Sequence, residues 1–191
     1  ASLGENSLYL CDAMTQLNLP ASLANVPLNA LPATGALTAI NVDPENPDYF
    51  SDSGVLYDAN FNALVKYPMS KADESYTLHD STSIIALFAF GNCNNLQELF
   101  FTGHAPQIDE TAFTNTTLTA YYPAGDSTYT EDGMLDYGGT VTWKPYCPDQ
   151  HVWNEGTVTR EPTCTQPGYT DYTCTACDTT KTEEIPMLDH T

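Results

Sequence analysis

Lysine and arginine are scarce in this sequence. Only 5 of its 191 residues are Lys or Arg, against 25 Asp or Glu, so the formal net charge is −20. A protein that binds nucleic acid needs a cationic surface for the phosphates, and anionic lipid attracts the same kind of surface. The composition therefore excludes nucleic acid as a partner and argues against docking on an anionic membrane.

Long apolar runs are also missing. No stretch of about 18 apolar residues occurs, so no membrane-spanning helix is expected. The first residues do not form a signal-peptide pattern. The chain begins inside a repeat, so we expect it to be part of a longer protein. Charged residues make up 16% and hydrophobic residues 41%, so a core is expected, with much of the polarity coming from Ser, Thr, Asn and Gln.

Sequence signatures of catalysis are absent as well. The chain has no G-x-S-x-G or H-E-x-x-H motif and no phosphate-binding P-loop. His79 and His104 lie far apart, in segments predicted to be loops. The many carboxylates make any single acidic pair weak evidence for a catalytic site. We therefore predict that the chain is not an enzyme and has no catalytic residues.

A repeat with a step of 23 residues is present in the first two thirds of the chain. Apolar residues open four segments, with steps of 23, 59 and 23 residues, at Leu3, Val26, Ile85 and Ile108. A small residue followed by a large apolar one recurs within them, at Ser7-Leu8, Ala30-Leu31, Ala89-Phe90 and Ala112-Phe113. Three of the segments end in alternating apolar positions, namely Met14, Leu17 and Leu19; Leu37, Ile40 and Val42; and Leu96, Leu99 and Phe101.

Such a repeat is typical of a solenoid, because a single unit cannot bury its apolar side and stacked units share one core. The alternating ends predict short parallel strands on one side of the stack. The small-large pairs predict turns or short helices on the other side. We expect Cys11 and Cys93 to be small buried thiols, because a disulfide between them would have to cross an intervening coil.

The segments SLGENSLYLCDAMTQLNLP and IIALFAFGNCNNLQELFF resemble the BspA-like leucine-rich repeats of bacterial surface proteins. That family pattern reads roughly I-G-x-x-A-F-x-x-C-x-x-L-x-x-I-x-L-P. The resemblance implies a leucine-rich-repeat solenoid, α/β to mainly β, over residues 1–146. It also implies a secreted or cell-surface location and adhesion to host or microbial surface proteins or glycans.

Residues 43–78 interrupt this repeat. Val55-Leu56-Tyr57 and Ala63-Leu64-Val65 are separated by turn residues and should pair as a β-hairpin. Insertions in repeat arrays often form a binding face, but the hairpin can equally serve only to thicken the coil. The array should end in a β-rich cap over residues 114–146 that shields the last coil, with Tyr121, Tyr122 and Trp143 as covering side chains.

Residues 147–191 contain four of the six cysteines and few large aliphatic residues. We interpret them as a second, small β-rich module, and their H-x-W…C-x-x-C pattern resembles a module found in tandem in bacterial cell-surface proteins. So short a chain needs a metal, disulfides or neighbouring copies to fold.

Two chemistries compete for these cysteines. A structural zinc site is one, formed by Cys164, Cys174, Cys177 and His190, with His151 or Cys147 as other choices for the fourth ligand. Disulfides are the alternative, favoured by an extracellular location. A redox role for Cys174-x2-Cys177 lacks the βαβ sequence context that usually accompanies it.

The sequence therefore predicts a non-enzymatic adhesion module that binds proteins or glycans. The alternative is a structural spacer that holds another domain away from the cell wall. A patch of exposed aromatic residues on the strand face would favour binding. A uniformly hydrated acidic face would favour the spacer.

Overall fold

The structure is a computed structural model that describes residues 1–5, 7–8, 11–27, 31, 35–60, 62–148 and 151–189. It divides into two units, described separately here. The first comprises residues 1–122 with 126–144, and the second residues 123–125 with 145–191. Ala30, which belongs to one of the predicted small-large pairs, lies outside the described residues.

The described residues are almost entirely strands and turns. The strands are β1 (Gln16–Leu19), β2 (Ala39–Val42), β3 (Tyr49–Asp52), β4 (Val55–Asp58), β5 (Ala63–Lys66), β6 (Ser75–Thr77), β7 (Ile84–Ile85), β8 (Glu98–Phe100), β9 (Gln107–Ile108), β10 (Thr117–Pro123), β11 (Thr140–Tyr146), β12 (Thr157–Arg160), β13 (Gly168–Thr173) and β14 (Thr180–Ile185). One short 3₁₀ helix, Glu131–Gly133, precedes β11.

The predicted solenoid is confirmed by the strand pairing. Strands β1 and β2 are parallel, with Leu17 opposite Ile40. Strands β6, β8 and β10 are also parallel, with Tyr76 opposite Leu99 and Leu99 opposite Ala120. The alternating apolar positions of the sequence thus lie in or beside the parallel strands of successive coils. Leu19, Ile40 and Leu99 are buried there, and Leu17 and Val42 are partly buried.

A row of aromatic rings fills the opposite side of the core. Phe90 and Phe113, from two of the small-large pairs, lie in turns with ring centroids 5.3 Å apart, and both side chains are fully buried. Tyr67 stacks on Phe90 at 5.4 Å. Its backbone N–H donates to the Ala89 carbonyl, as that of Phe90 donates to Ala112. Tyr67 therefore occupies the same place in its coil as Phe90 does in the next.

This position of Tyr67 reveals a coil that the sequence analysis did not separate from the interrupting segment 43–78. Strand β5 pairs in parallel with β7, and β6 pairs in parallel with β8. The second half of the segment is thus a turn of the solenoid. It was missed because Lys66 stands where the later coils have Ala89 and Ala112, and a lysine does not fit the small-residue pattern.

Lys66 is consequently a buried cation, with only 3% of its surface exposed. Its Nζ donates a hydrogen bond to the Phe88 carbonyl oxygen at 2.7 Å. Burial lowers the pKa of this amine below the ordinary lysine value, because desolvation disfavours the charged form. The Phe88 carbonyl also accepts the backbone N–H of Gly91, so it does not depend on Lys66 alone.

The predicted hairpin is present, and its second strand is deeply buried. Strands β4 and β5 are antiparallel, with Tyr57 opposite Leu64, and β3 adds a third antiparallel strand. Side chains of β4 alternate between two core clusters, with Val55 and Tyr57 in one and Leu56 in the other. The hairpin therefore joins the two parts of the core.

The last coil is covered largely as expected for a cap. Trp143 packs on Phe101 with ring centroids 5.3 Å apart, and Tyr122 stacks on Tyr129, which meets Phe101 edge-on. Tyr121 behaves differently from the expectation. Its neighbours Ala120 and Leu99 face inward, and its own ring stacks on Phe100 on the outer side of the sheet.

The second unit is a three-stranded antiparallel sheet in the order β12-β13-β14. Among its described residues only Gly168 and Cys174 are buried. Lys181 lies over the rings of Trp153 and Tyr172, at 4.8 and 5.0 Å from their centroids. So small a core cannot by itself account for an ordered sheet.

Replacing Leu99 with alanine tests the stacked core. Leu99 is fully buried on β8, so Leu99→Ala should lower the free energy of unfolding by about 3 kcal/mol, through lost burial and the cavity left behind. Leu135→Ala is the matched control, because Leu135 is 52% exposed. This variant should change the free energy of unfolding by less than about 0.5 kcal/mol. Urea unfolding measures both, and equal losses would contradict the packing described.

Replacing Lys66 with methionine tests its burial. Lys66→Met keeps an unbranched side chain without the amine and should raise the free energy of unfolding by about 1 kcal/mol near neutral pH. Because the folded pKa is lowered, the unfolded chain binds more protons, so wild-type stability rises as pH approaches the lysine range. The advantage of the variant should therefore shrink as the pH rises toward the ordinary lysine pKa of about 10.4. A pH-independent difference would contradict this account.

Candidate metal centre

Four side chains of the second unit converge at one end of its sheet. Cys147 follows β11, Cys174 comes directly after β13, and Cys177 lies in the turn that leads to β14. The isolated bridge between Trp153 and Cys174, with a hydrogen bond from the Thr175 N–H to the Val152 carbonyl oxygen, holds the segment of His151 beside this turn. The fold thus assembles three thiols and one imidazole.

The geometry of this cluster suits one metal ion. The Cys147 sulfur lies 3.1 Å from that of Cys177 and 3.7 Å from that of Cys174, and His151 Nδ1 lies 3.3 Å from the Cys177 sulfur. All four donor atoms lie within 4.8 Å of one another. Tetrahedral zinc with the usual bond lengths requires donor separations of about 3.6–3.8 Å. The separations of 3.1 and 3.3 Å are shorter than these values, and the separation of 3.7 Å lies within them.

The protonation chemistry of the cluster also favours one metal ion. Hydrogen bonding, led by the backbone N–H of Ala176, lowers the pKa of Cys174 to about 6. The hydrogen bond with the Cys177 sulfur raises the pKa of Cys147 to about 12. Hydrogen bonds with Cys174 and Cys177 raise the pKa of His151. Burial acts to raise the pKa of Cys177, but its hydrogen bonds with Thr179 and Cys147 outweigh burial and lower it. The cluster therefore favours negative charge on Cys174 and Cys177 and resists it on Cys147, since neighbouring thiolates repel each other. A divalent cation between the sulfurs would remove this repulsion.

The sequence-predicted ligands are only partly brought together. Cys174 and Cys177 are members of the cluster, and Cys147 and His151, considered as alternatives for the fourth ligand, both join them. Cys164 is exposed and is not one of the four. His190 lies outside the described residues. The Cys147-x3-His151 spacing was the signal in the sequence for Cys147 and His151 as ligands.

The cysteines are free thiols throughout the structure, including Cys11 and Cys93. Cys93 is buried, and burial raises the pKa of its thiol to about 12, so it is a neutral core residue. In the cluster, the shortest sulfur separation, 3.1 Å, is longer than a disulfide bond of about 2.05 Å. Three sulfurs and a nitrogen surround a common centre, an arrangement that a single bonded pair does not require.

A second feature of functional interest is the outer face of β8 and β10, which we call the strand face. The Phe100 and Tyr121 rings stack on it at 4.7 Å, nearly parallel. The Tyr121 hydroxyl donates a hydrogen bond to Glu98 Oε1 at 3.2 Å. Thr77 is exposed on the neighbouring strand β6. The strand face thus combines half-buried aromatic surface with hydroxyl and carboxylate groups.

Residues 69–136 match the family described as BspA type leucine-rich repeat region (6 copies). The match begins within the coil that contains β6 and ends before β11, and it includes the aromatic positions Phe90 and Phe113. This match agrees with the coil stacking and the parallel strands described above. A search of curated proteins finds no match to the chain.

Three solved structures of bacterial origin resemble this chain. A leucine-rich repeat protein from Eubacterium ventriosum has a TM-score of 0.57 and 15% identity, covering 78% of this chain and 40% of its own length. The pneumococcal vaccine antigen PcpA has a TM-score of 0.46 and 15% identity, with coverage of 73% and 47%. A leucine-rich cell surface protein from Faecalibacterium prausnitzii has a TM-score of 0.48 and 17% identity, with coverage of 74% and 51%.

The first of these similarities establishes the leucine-rich-repeat fold. The chain spans only about half, or less, of each of the three structures. Within the described part of the chain, no helix has the length and apolar character needed to cross a bilayer.

Proposed function

We propose that this chain is a non-enzymatic module of a bacterial cell-surface or secreted protein, and that it binds surface proteins or glycans through its strand face. The observation that carries the proposal is the Phe100–Tyr121 pair on the outer side of the parallel sheet. A solenoid offers an extended surface of this kind to partners, and the BspA-type repeats support a surface location.

The composition of the strand face fits recognition of a polar partner. The aromatic pair supplies apolar contact area with few rotatable bonds, and the Glu98 carboxylate and threonine hydroxyls supply hydrogen-bonding groups around it. Surfaces that combine rigid aromatic anchors with polar neighbours are typical of protein interfaces. A chain of net charge −20 also favours partners that carry basic groups.

The alternative function is a spacer that holds another domain away from the cell wall. The acidic composition and the small second unit, whose sequence pattern is typical of tandem modules, favour this alternative. The stacked aromatic pair distinguishes the two functions, because a spacer has no need of apolar surface on its outer face.

We also propose that the second unit binds one structural zinc ion through Cys147, His151, Cys174 and Cys177. Three thiolates and one imidazole are a ligand set that zinc prefers, and four protein ligands leave no open position for catalysis. With only two described residues buried, this unit needs such a crosslink to stabilise its sheet. The role assigned to the ion is therefore structural.

Metal analysis of the purified chain tests the zinc site. We expect one zinc ion per chain, measured by elemental mass spectrometry. Cys174→Ser should bind zinc at least about tenfold more weakly, because one of the four ligands is removed. Cys164→Ser is the matched control, since Cys164 is exposed and outside the cluster, and should keep its zinc. Equal loss of zinc in both variants, or a thiol titration showing that the three clustered thiols are oxidised, would contradict the site.

Binding to immobilised matrix glycoproteins, with and without their glycans, tests the strand face. Phe100→Thr combined with Tyr121→Thr removes the aromatic pair but keeps strand propensity, and should weaken binding at least about tenfold, as expected for two aromatic anchors. Leu135→Thr, an exposed position on the loop before β11, is the control. Unchanged binding by the double variant would exclude the strand face, and no binding by the wild type would favour the spacer.

A further inference from the structure

We propose that a pocket in the last coil of the solenoid binds the side-chain ammonium group of a lysine on a partner protein. This inference rests on the proposed binding function but uses a site separate from the Phe100–Tyr121 pair. The pocket lies against the segment 126–137, which connects β10 to β11, and we call it the aromatic pocket.

The aromatic pocket has a volume of about 190 Å³. Its walls include three aromatic rings together with aliphatic groups, contributed by Ile108, Tyr129, Met134, Tyr137 and Trp143. Thr128 and Thr130 add hydroxyl groups. This space is large enough for the end of one long side chain, and too small for a folded segment of a partner.

The three rings are held in place by contacts on their other sides. Tyr129 stacks on Tyr122 at 5.0 Å, Trp143 packs on Phe101 at 5.3 Å, and Tyr137 meets Phe113 edge-on at 6.3 Å. The aromatic pocket is therefore preformed by the core of the solenoid. A preformed site loses little conformational freedom when it binds.

The polar atoms of these rings are already engaged. The Tyr129 hydroxyl donates to the Gly103 carbonyl oxygen at 2.9 Å, and Trp143 Nε1 donates to the Leu135 carbonyl oxygen at 3.0 Å. The Tyr137 hydroxyl donates to the Gly133 carbonyl oxygen. With their donors bonded to the backbone, the rings offer π surface to an occupant, and aromatic π surface attracts cations.

The charge around the aromatic pocket favours the same occupant. The segment 126–137 contains the four carboxylates Asp126, Glu131, Asp132 and Asp136 and no Lys or Arg. Glu131 and Asp132 are exposed on the 3₁₀ helix that ends at Gly133, which itself lines the pocket. An anionic ligand would be repelled there, and a neutral apolar ligand would gain nothing from the carboxylates.

A lysine side chain fits both the aromatic walls and the acidic rim of the aromatic pocket. Its methylene stem can pack along Ile108 and Met134 while the ammonium group meets the ring faces and the acidic rim. A single ammonium group contributes little affinity by itself, because binding also costs translational and rotational freedom. The aromatic pocket is therefore suited to one anchoring contact within a larger protein interface.

Tryptophan fluorescence gives a direct test. In a Trp153→Phe background, Trp143 is the only tryptophan of the chain and reports occupancy of the aromatic pocket. Titration with Nα-acetyl-lysine N-methylamide should change its emission in a saturable way. The norleucine derivative, which has the same stem without the ammonium group, should bind at least about tenfold more weakly because the cation–π and carboxylate attractions are missing.

Variants assign the effect to the pocket. Glu131→Gln with Asp132→Asn should weaken binding of the lysine probe several-fold, whereas Glu155→Gln with Glu161→Gln, the same change of charge at exposed positions in the second unit, should leave it unchanged. Tyr137→Phe should retain binding and Tyr137→Leu should lose it, with circular dichroism confirming that both fold.

Equal binding of the lysine and norleucine probes, equal effects of the two charge variants, or no change in Trp143 emission would overturn the proposal. Failure of this proposal is distinguishable from failure of the proposed function. Matrix binding that depends on Phe100 and Tyr121, with no response to the lysine probe, would overturn only the proposal that the aromatic pocket binds lysine.

Discussion

The stacking of one coil on the next is the interaction on which the first unit depends. Three successive coils place a ring over the ring of the next, from Tyr67 to Phe90 to Phe113, and the strands of neighbouring coils pair. Hydrogen bonds between residues 23 apart, such as Asn41 to Asn18 and Asn115 to Asn92, repeat this step on the surface. Side chains that point away from the stack are free to vary, so the same repeat supplies both the core and the strand face.

The sequence predicted the solenoid because the step of 23 residues is a physical requirement of the stack. An apolar residue had to recur at the inward position of each strand, and Leu17, Ile40 and Leu99 do so, with Ile40 and Leu99 fully buried and Leu17 partly buried. The coil containing Tyr67 could not be recognised from the same pattern. Lys66 occupies a position that is alanine in the two following coils, and only the three-dimensional contact with the Phe88 carbonyl oxygen explains how an amine is accommodated there.

The cluster of Cys147, His151, Cys174 and Cys177 shows where local sequence spacing stops being sufficient. The Cys174-x2-Cys177 pair is brought together by a tight turn and is recognisable from its spacing alone. The choice of partners depends on which distant segment the sheet brings beside that turn. The bridge from Trp153 to Cys174 selects His151, and the end of β11 contributes Cys147. Cys164, nearer in sequence to Cys174 than Cys147 is, is exposed and remains outside the group.

The alternating burial of β4 has a consequence for how the repeat array loses its structure. Repeat proteins often fray from one end, because each unit touches only its neighbours. Here Val55 and Tyr57 belong to one cluster and Leu56, between them, to the other. Moving this strand disturbs both clusters together, so the early coils cannot detach while the later ones stay intact. The antiparallel strands β3, β4 and β5 thus couple the early and late coils, so we expect the first unit to unfold cooperatively.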